Sequence, residues 1–173
     1  MDYIEWLEKN SMLHAAKQYA SEYSAKSEQF DYSYALPNPL GAVQRMPVWF
    51  NAYPSSTILD EGQTFIQHCG DRHLWELLSN LGVSLLRTGP EKLSGYLIDK
   101  ELKPSVDGLF DRIQLKIAPE LGTDDQYLQM VETAKEFNGE IAGDIIPGHT
   151  GRGFDYNLAI RNYGEYPGLY IMV

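Results

Sequence analysis

Several features that define whole classes of protein are scarce in this sequence. Its 173 residues include a single cysteine, Cys69, so an internal disulfide cannot form and a disulfide-stabilised secreted domain is excluded. The apolar runs are only a few residues long, whereas a membrane-spanning helix needs about 20 apolar residues. The N-terminal residues contain neither the basic region nor the apolar region of a signal peptide. We therefore expect a soluble, cytoplasmic protein.

Positive charge is also scarce. The sequence has 14 lysine and arginine residues against 24 aspartate and glutamate residues, which gives a net charge of -10. Nucleic acids and anionic membrane surfaces are bound through a basic face, so we predict that neither is a partner. Apolar residues make up 43% and charged residues 22%, which are proportions typical of a folded globular chain.

The spacing of apolar and β-forming residues changes along the chain and predicts the order of its elements. Helical spacing predicts an N-terminal helical arm over residues 2–29, and a proline-containing connector follows over residues 30–47. The remaining pattern predicts, in chain order, strand 48–53, helix 71–82, strand 83–88, a short strand within 112–117, helix 123–137 and strand 141–146. Alternating strands and helices predict an α/β fold with parallel strands, because helical crossovers join parallel strands.

Two polar residues near the end of the last predicted strand are the strongest candidates for a functional site. Asp144 lies within an apolar run, where an ionised carboxylate is costly unless a partner compensates its charge. His149 follows just beyond the strand, and ligands of parallel α/β folds bind at the carboxyl ends of the strands. The two positions are therefore candidates for a ligand site. The alternative, which the pattern leaves open, is a structural carboxylate and a solvated loop histidine.

The other motifs in the sequence are weaker indications of a functional site. Residues 148–153 are rich in glycine but match neither the phosphate-loop pattern nor the dinucleotide-binding pattern, so a phosphate site using Arg152 remains only an alternative. His68 and Cys69 are adjacent, and adjacent side chains point in different directions, so we interpret Cys69 as a packed or partly exposed neutral thiol. The histidines lack metal-ligand spacing. We predict no metal and no cofactor.

Four segments together resemble the alpha-amylase family, glycoside hydrolase family 13. Residues 122–127 are similar to the start of the second barrel helix of that family, and residues 143–150 are similar to the end of its third barrel strand. Residues 81–83 match the Leu-Gly-Val motif that precedes the second strand, and residues 117–123 are similar to the family motif IDPxxGT.

The resemblance implies a fold and a division of the chain. Residues 49–54 and 147–151 look most like the trehalose synthase, or maltose glucosyltransferase, branch. The implied fold is the N-terminal portion of a (β/α)₈ barrel, with about three strand–helix units preceded by the helical arm. A closed barrel needs about 250 residues, so we expect this chain to be part of a longer enzyme. The implied units are an arm and connector at 1–46, the first three barrel strands at 47–149, and the start of the insertion after the third strand at 150–173.

The resemblance also implies which residues meet the substrate. Enzymes of this family are retaining and use carboxylates from the fourth and fifth strands and after the seventh, so we expect no catalytic residue in this chain. Substrate binding is implied for His149, which would hydrogen-bond the sugar in the −1 subsite, for Asp144, which would orient active-site side chains, and for Tyr53. Gly148 replaces the family asparagine that helps to hold calcium in many members, so we expect no calcium.

The implied parent activity is retaining α-glucosyl transfer or hydrolysis, such as maltose–trehalose interconversion, and we expect this chain to be inactive alone. The implied partner is an α-linked glucose oligosaccharide such as maltose or trehalose. Three strands of a barrel leave an open sheet edge, so we also expect self-association through that edge. The alternative is a stand-alone, non-catalytic α/β binding or interaction domain, in which the helical arm binds a partner.

Overall fold

The computed structural model describes residues 1–24, 38–98, 101–103, 112, 115–144 and 149–171. Its helices are α1 (Tyr3–Lys9), α2 (Met12–Tyr23), α3 (Pro39–Arg45), α4 (Phe65–Cys69), α5 (Arg72–Asn80), α6 (Asp124–Glu136) and α7 (Phe154–Ala159). Its strands are β1 (Trp49–Asn51), β2 (Leu85–Gly89), β3 (Tyr96–Ile98), β4 (Glu101–Lys103) and β5 (Glu140–Gly143), and 3₁₀ turns cover Pro54–Ser56 and Tyr166–Leu169. Of the helices in these ranges, none is long and apolar enough to cross a bilayer.

The centre of the fold is a parallel sheet in the order β1-β2-β5. Trp49 pairs with Leu85, and Leu85 pairs with Glu140, so the three strands run in the same direction. Helices α4 and α5 lie between β1 and β2 in the chain, and α6 lies between β2 and β5. The α/β fold and the parallel pairing that the sequence predicts are confirmed. The last strand ends at Gly143, and residues 145 and 146 of the predicted strand lie outside the described residues.

One apolar core joins the sheet to two of its helices. Trp75 and Leu78 of α5, together with Met130 and Ala134 of α6, pack in the same cluster as Leu86 of β2. Each of these side chains is at most 2% exposed. Full burial of a large apolar side chain contributes about 1.5 to 3 kcal/mol, so this core accounts for much of the stability of the sheet.

Side-chain caps determine where these helices begin. The Asp71 carboxylate accepts hydrogen bonds from the amides of His73 and Leu74 at the start of α5. The capping box of Thr123 and Gln126 forms at the start of α6. Each cap satisfies amide groups that the first turn of a helix leaves unpaired. The predicted starts of both helices are thereby confirmed.

The connection between β2 and α6 contains structure that the sequence pattern does not predict. Strands β3 and β4 pair there as an antiparallel two-stranded sheet. Within residues 112–117, the described part contains only an isolated bridge between Lys92 and Ile117, and residues 113 and 114 lie outside it. The predicted short strand is therefore wrong in its extent, because alternation over a few residues is too short a pattern to specify a ladder.

The N-terminal arm consists of two helices, whereas the sequence pattern predicts one over residues 2–29. The break lies at Asn10, because the Ser11 hydroxyl accepts a hydrogen bond from the amide of His14 and so starts a second helix. A serine side chain competes with helix continuation in this way. Residues 25–29 of the predicted arm lie outside the described part.

The arm packs against the C-terminal segment in a second apolar core. Leu7 of α1, together with Phe154 and Leu158 of α7, is fully buried there. The hydroxyls of Ser11 and Tyr166 are 2.8 Å apart and form a buried hydrogen bond. The arm and residues 150–171 therefore form one packed unit, although they lie at opposite ends of the described chain.

A buried carboxylate ties α7 to the start of α2. Asp155 is 0% exposed, and its Oδ2 and Oδ1 accept hydrogen bonds from the amides of Met12 at 2.8 Å and Leu13 at 3.0 Å. It is a helix cap supplied from 143 residues away in the sequence. Burial raises the pKa of Asp155 above its ordinary value, although these amide hydrogen bonds act in the opposite direction.

The raised pKa of Asp155 predicts how stability depends on pH. A carboxyl group whose pKa is higher in the folded chain than in the unfolded chain stabilises the fold when it is protonated. This contribution is complete at a pH below the pKa of the unfolded chain, near 3.8, and it is lost as the pH rises through the pKa of the folded chain. We expect the free energy of unfolding of the wild type to fall, relative to that of Asp155→Asn, as the pH rises from that point. Urea unfolding at a series of acid and neutral pH values measures the difference.

The matched control for this prediction is Asp60→Asn, which removes an exposed carboxylate from a loop. We expect its stability to follow the wild-type profile. A pH-independent difference between the wild type and Asp155→Asn would contradict the prediction.

Candidate functional site

Three polar side chains meet at the carboxyl end of the parallel sheet. Arg87 of β2 donates from Nε to Oδ1 of Asp144 at 2.9 Å and from Nη2 to Oδ2 of Asp144 at 2.6 Å. The same guanidinium donates from Nη1 to the Tyr53 hydroxyl at 2.6 Å. Tyr53 follows β1 and Asp144 follows β5, so one arginine connects the ends of three adjacent strands. We call Tyr53, Arg87 and Asp144 the strand-end cluster.

The pleat of the sheet places these side chains on one face. Asn51, Arg87 and Ala142 are in register across the three strands. Tyr53 and Asp144 each lie two residues beyond a register partner of Arg87, and side chains two residues apart on an extended chain point to the same face. The strand-end cluster therefore lies on the face opposite the apolar core with α5 and α6.

The turn that follows Tyr53 holds its backbone in place. The Tyr53 carbonyl accepts hydrogen bonds from the Ser56 amide at 3.0 Å and from the Thr57 hydroxyl at 2.8 Å. At the other end of the residue, the centre of the Tyr53 ring lies 5.6 Å from the guanidinium carbon of Arg87. The ring is thus fixed by a backbone turn and by the arginine together.

Two paired glycines allow this close approach. Gly89 has a φ of +69°, which residues with a side chain rarely adopt, and a Cβ there would lie 2.7 Å from Cδ1 of the Tyr53 ring. Its ladder partner is Gly143, where a Cβ would overlap the carboxylate of Glu91. The register of the sheet shifts between Arg87 and Gly89, and the amide of Asp144 donates to the Gly89 carbonyl at 3.0 Å. Glycine at both positions therefore lets the three strand ends converge.

Charge pairing explains how Asp144 is tolerated. The side chains of Arg87 and Asp144 are 34% and 28% exposed, so both charges are partly shielded from water. The hydrogen bond to Asp144 raises the pKa of Arg87 above its ordinary value, and Tyr53 adds to the shift. Arg87 is therefore always charged, and a two-point pair with a carboxylate is its strongest geometry. Asp144 has the compensating partner that its sequence context requires.

The structure connects two of the three residues that the sequence selects for substrate binding. Tyr53 and Asp144 share Arg87 as a hydrogen-bond partner. His149 is exposed and makes no hydrogen bond with the strand-end cluster, as far as the described residues show. Arg87 itself is missing from the sequence-based candidates, although a charged residue inside an otherwise apolar strand is a signal that could have found it.

A second carboxylate lies on the helix side of the sheet. Glu91 is 0% exposed, and its carboxylate accepts hydrogen bonds from the Thr88 hydroxyl at 3.2 Å and the Lys92 ammonium at 3.0 Å. Burial, with the negative charge of Glu91, raises the pKa of Tyr127 on α6 to about 12. Glu91 is enclosed among these groups and is not available to a ligand at the strand-end cluster.

The remaining candidates from the sequence have structural surroundings. Cys69 is buried, and burial raises its pKa to about 12, so the interpretation as a packed neutral thiol is confirmed. The guanidinium of Arg152 lies over the ring of Tyr156, with its carbon 5.7 Å from the ring centre, and Gly148 lies outside the described residues. In the part of the chain that the structure describes, no three His, Cys, Asp or Glu side chains are grouped to hold a metal ion.

The contact between Gly89 and Tyr53 gives a testable prediction. Gly89→Ala adds a methyl group against the Tyr53 ring and strains a backbone with positive φ. Gly82→Ala is the matched control, because Gly82 has a φ of +79° and no neighbouring atom within 4 Å. We expect Gly89→Ala to cost about 1 to 3 kcal/mol more than Gly82→Ala in urea unfolding, since overpacking adds to the common backbone strain. Equal losses in the two variants would contradict the observed packing of Tyr53.

Comparisons with known proteins relate this geometry to a known fold. A scan of protein-family models and a search of curated proteins gave no match. Solved structures match with high probability. They include trehalose-6-phosphate hydrolase from Bacillus licheniformis, with 18% identity, a TM-score of 0.52 and 72% of this chain covered. A family GH13_31 enzyme matches with 22% identity and a TM-score of 0.56 over 75% of this chain. Isomaltulose synthase from Klebsiella sp. LX3 matches with 20% identity and a TM-score of 0.51 over 74%.

This chain is much shorter than the chains that it matches. This chain spans 21%, 23% and 22% of the three matched chains, in the same order. At these identities the matches establish the fold and leave the activity to be tested. The resemblance to glycoside hydrolase family 13 that the sequence motifs indicate is therefore confirmed at the level of structure, over about three quarters of this chain.

Proposed function

We propose that this chain is the N-terminal part of an alpha-amylase-family enzyme that acts on α-linked glucosides. Its role in that enzyme is to bind the sugar at the carboxyl end of the first three barrel strands. The observation that carries the proposal is the strand-end cluster, because it joins side chains from three parallel strands at the edge where barrel enzymes bind their substrates. The matched structures include a trehalose-6-phosphate hydrolase and a mutant isomaltulose synthase from Erwinia rhapontici in complex with D-glucose.

The division of the chain follows from this proposal. Residues 47–149 form the first three strands of an alpha-amylase-type barrel, residues 1–46 form the arm and its connector, and residues 150–173 begin the insertion after the third strand. The packed unit of the arm and residues 150–171 supports a joint role for the two ends, since both surround the same apolar core. The sugar-binding residues are Tyr53, Asp144 and His149.

The chemistry of the cluster supports binding without cleavage by this chain alone. A retaining glycosidase needs two carboxyl groups about 5 to 5.5 Å apart, on either side of the glycosidic bond. Asp144 is the one carboxylate of the strand-end cluster, and both of its oxygens accept hydrogen bonds from Arg87. Glu91 is enclosed on the other side of the sheet. Transfer or hydrolysis, such as maltose–trehalose interconversion, then depends on carboxylates from later strands of the parent enzyme.

The competing proposal is a stand-alone, non-catalytic α/β binding or interaction domain, in which the helical arm binds a partner. The two proposals differ in what the gene encodes after residue 173. An in-frame continuation with further strands that carry Asp and Glu supports the partial barrel. An immediate stop codon followed by an unrelated gene supports the stand-alone domain.

Sugar binding is the central prediction of this proposal. When the chain is titrated with maltose or with trehalose, its NMR chemical shifts should change and reach saturation. We expect Tyr53→Phe, Asp144→Asn and His149→Ala each to weaken binding by about tenfold, because each removes a hydrogen bond to the sugar. The matched control is His73→Ala, which removes a histidine with a 93% exposed side chain from α5.

The same proteins should release no glucose from maltose, trehalose or starch. Turnover that is abolished by His149→Ala would contradict the partial-barrel proposal. An absence of shift changes at saturating sugar concentrations would contradict the sugar site itself.

The open edge of the sheet gives a second prediction. In the described residues β1 pairs only with β2, and Trp49 and Phe50 on this edge strand are 56% and 46% exposed. We expect concentration-dependent self-association in sedimentation velocity, because an unpaired apolar edge binds another strand. Phe50→Lys should reduce it, whereas Ile58→Lys, at a loop isoleucine that is 94% exposed, should not. A wild-type chain that is monomeric at all concentrations would contradict this prediction.

A further inference from the structure

We propose that Arg87 is a positioning residue that determines which hydrogen bonds Tyr53 and Asp144 can offer, and thereby makes the site selective for uncharged sugars. This inference rests on the proposed sugar-binding function and adds a specificity to it. Arg87 acts through its two neighbours, which are the groups that would touch the sugar.

The geometry of the guanidinium fixes both neighbours at once. An arginine has five N–H donors in one plane. Three different nitrogens of Arg87 are used within the cluster: Nε and Nη2 bond the two oxygens of Asp144, and Nη1 bonds the hydroxyl of Tyr53. Because the donors are coplanar and rigidly spaced, neither neighbour can rotate without losing a charge-assisted hydrogen bond.

This arrangement determines the direction of the remaining hydrogen bonds. The Tyr53 oxygen accepts from Arg87, so its own O–H is left to donate to a ligand. The Asp144 oxygens each accept one hydrogen bond from Arg87 and retain lone pairs that can only accept. A ligand that contacts both residues therefore accepts from Tyr53 and donates to Asp144. A hydroxyl group does both, so a polyhydroxylated ring fits this pattern, whereas an ionised carboxylate or a dianionic phosphate monoester has no hydrogen to donate to Asp144.

The charges of the cluster favour the same ligand class. Arg87 and Asp144 are a matched pair of opposite charges, so the cluster has no excess positive charge to attract an anion. Three other described cations that lie close to these residues in the sequence have partners elsewhere: Arg45 pairs with Glu140, Lys92 pairs with the buried Glu91, and Arg152 lies over Tyr156. The whole chain has a net charge of -10, which repels anionic ligands further.

The register of the sheet places Arg87 between its two neighbours. Arg87 lies in register between Asn51 and Ala142. Tyr53 and Asp144 each lie two residues beyond one of these partners, so one guanidinium reaches both side chains.

The experiment is a set of double-mutant cycles with two readouts. Tyr53→Phe and Asp144→Asn are made singly and together, both in the wild-type background and in an Arg87→Met background. A further variant, Arg87→Lys, keeps the positive charge and removes the planar guanidinium. The control is Arg72→Met, which removes an exposed arginine that pairs with Glu136 on the helix side. The readouts are the equilibrium constant of unfolding without ligand, and the affinities for trehalose and trehalose 6-phosphate.

The unfolding readout tests the positioning role without any sugar. We expect the effects of Tyr53→Phe and Asp144→Asn to be non-additive by about threefold or more in the wild-type background, and additive in the Arg87→Met background, because the arginine is their shared partner. Additive effects in the wild-type background would overturn the inference, whether or not a sugar binds.

The affinity readout tests the specificity. We expect the wild type to bind trehalose at least about tenfold more tightly than trehalose 6-phosphate, and Arg87→Met and Arg87→Lys to lose most of the trehalose affinity. If trehalose binds equally to the wild type and Arg87→Met, the inference is wrong and the sugar site stands. Tighter binding of trehalose 6-phosphate would also overturn the inferred specificity. If neither ligand binds the wild type, both the proposed function and the inferred specificity are wrong. Non-additive effects on unfolding would then support only the positioning of Tyr53 and Asp144 by Arg87.

Discussion

The parallel pairing of β1, β2 and β5 is the constraint on which the rest of this structure depends. Parallel strands cannot be joined by a tight turn, so helices must cross over between them, and all strands end at the same edge. The helices cover one face of the sheet and form the apolar core around Trp75, Leu86 and Met130. The shared edge brings Tyr53, Arg87 and Asp144 together, although they are far apart in the chain. The apolar core and the candidate site therefore both result from the parallel pairing of these strands.

The same edge has to accommodate two carboxylates on its two faces. Asp144 lies on the face opposite the helices and pairs with Arg87, and Glu91 lies on the helix side and pairs with Lys92. Each carboxylate has its own cation, because a partly or fully buried charge is costly without one. Gly89 on β2 leaves room for the Tyr53 ring, and Gly143 on β5 leaves room for the Glu91 carboxylate. Polar groups on both faces of a thin sheet are possible because the local charges balance.

The extent to which the sequence predicts this protein differs between its elements. The order of the three parallel strands, the caps at Asp71 and Thr123, and the family resemblance follow from local patterns, and the structure agrees with them. The antiparallel pairing of β3 with β4 and the division of the arm at Asn10 do not, because weak alternation and a single serine leave several conformations similar in energy. For the site, the sequence selects Asp144 because an isolated carboxylate in an apolar run needs an explanation. It does not select Arg87, whose importance depends on neighbours from two other strands.

The sequence by itself determined the α/β class and the parallel sheet, because these depend on spacing and caps within short stretches. The expectation of a sugar-binding edge followed from the resemblance of its motifs to glycoside hydrolase family 13. The tertiary structure alone decided which residue compensates Asp144, how Tyr53 is oriented, and that Asp155 caps a helix near the other end of the chain. These contacts join residues from 34 to 143 positions apart. No local pattern encodes such pairs, since their energies depend on distances that exist only after the strands and the two cores have packed.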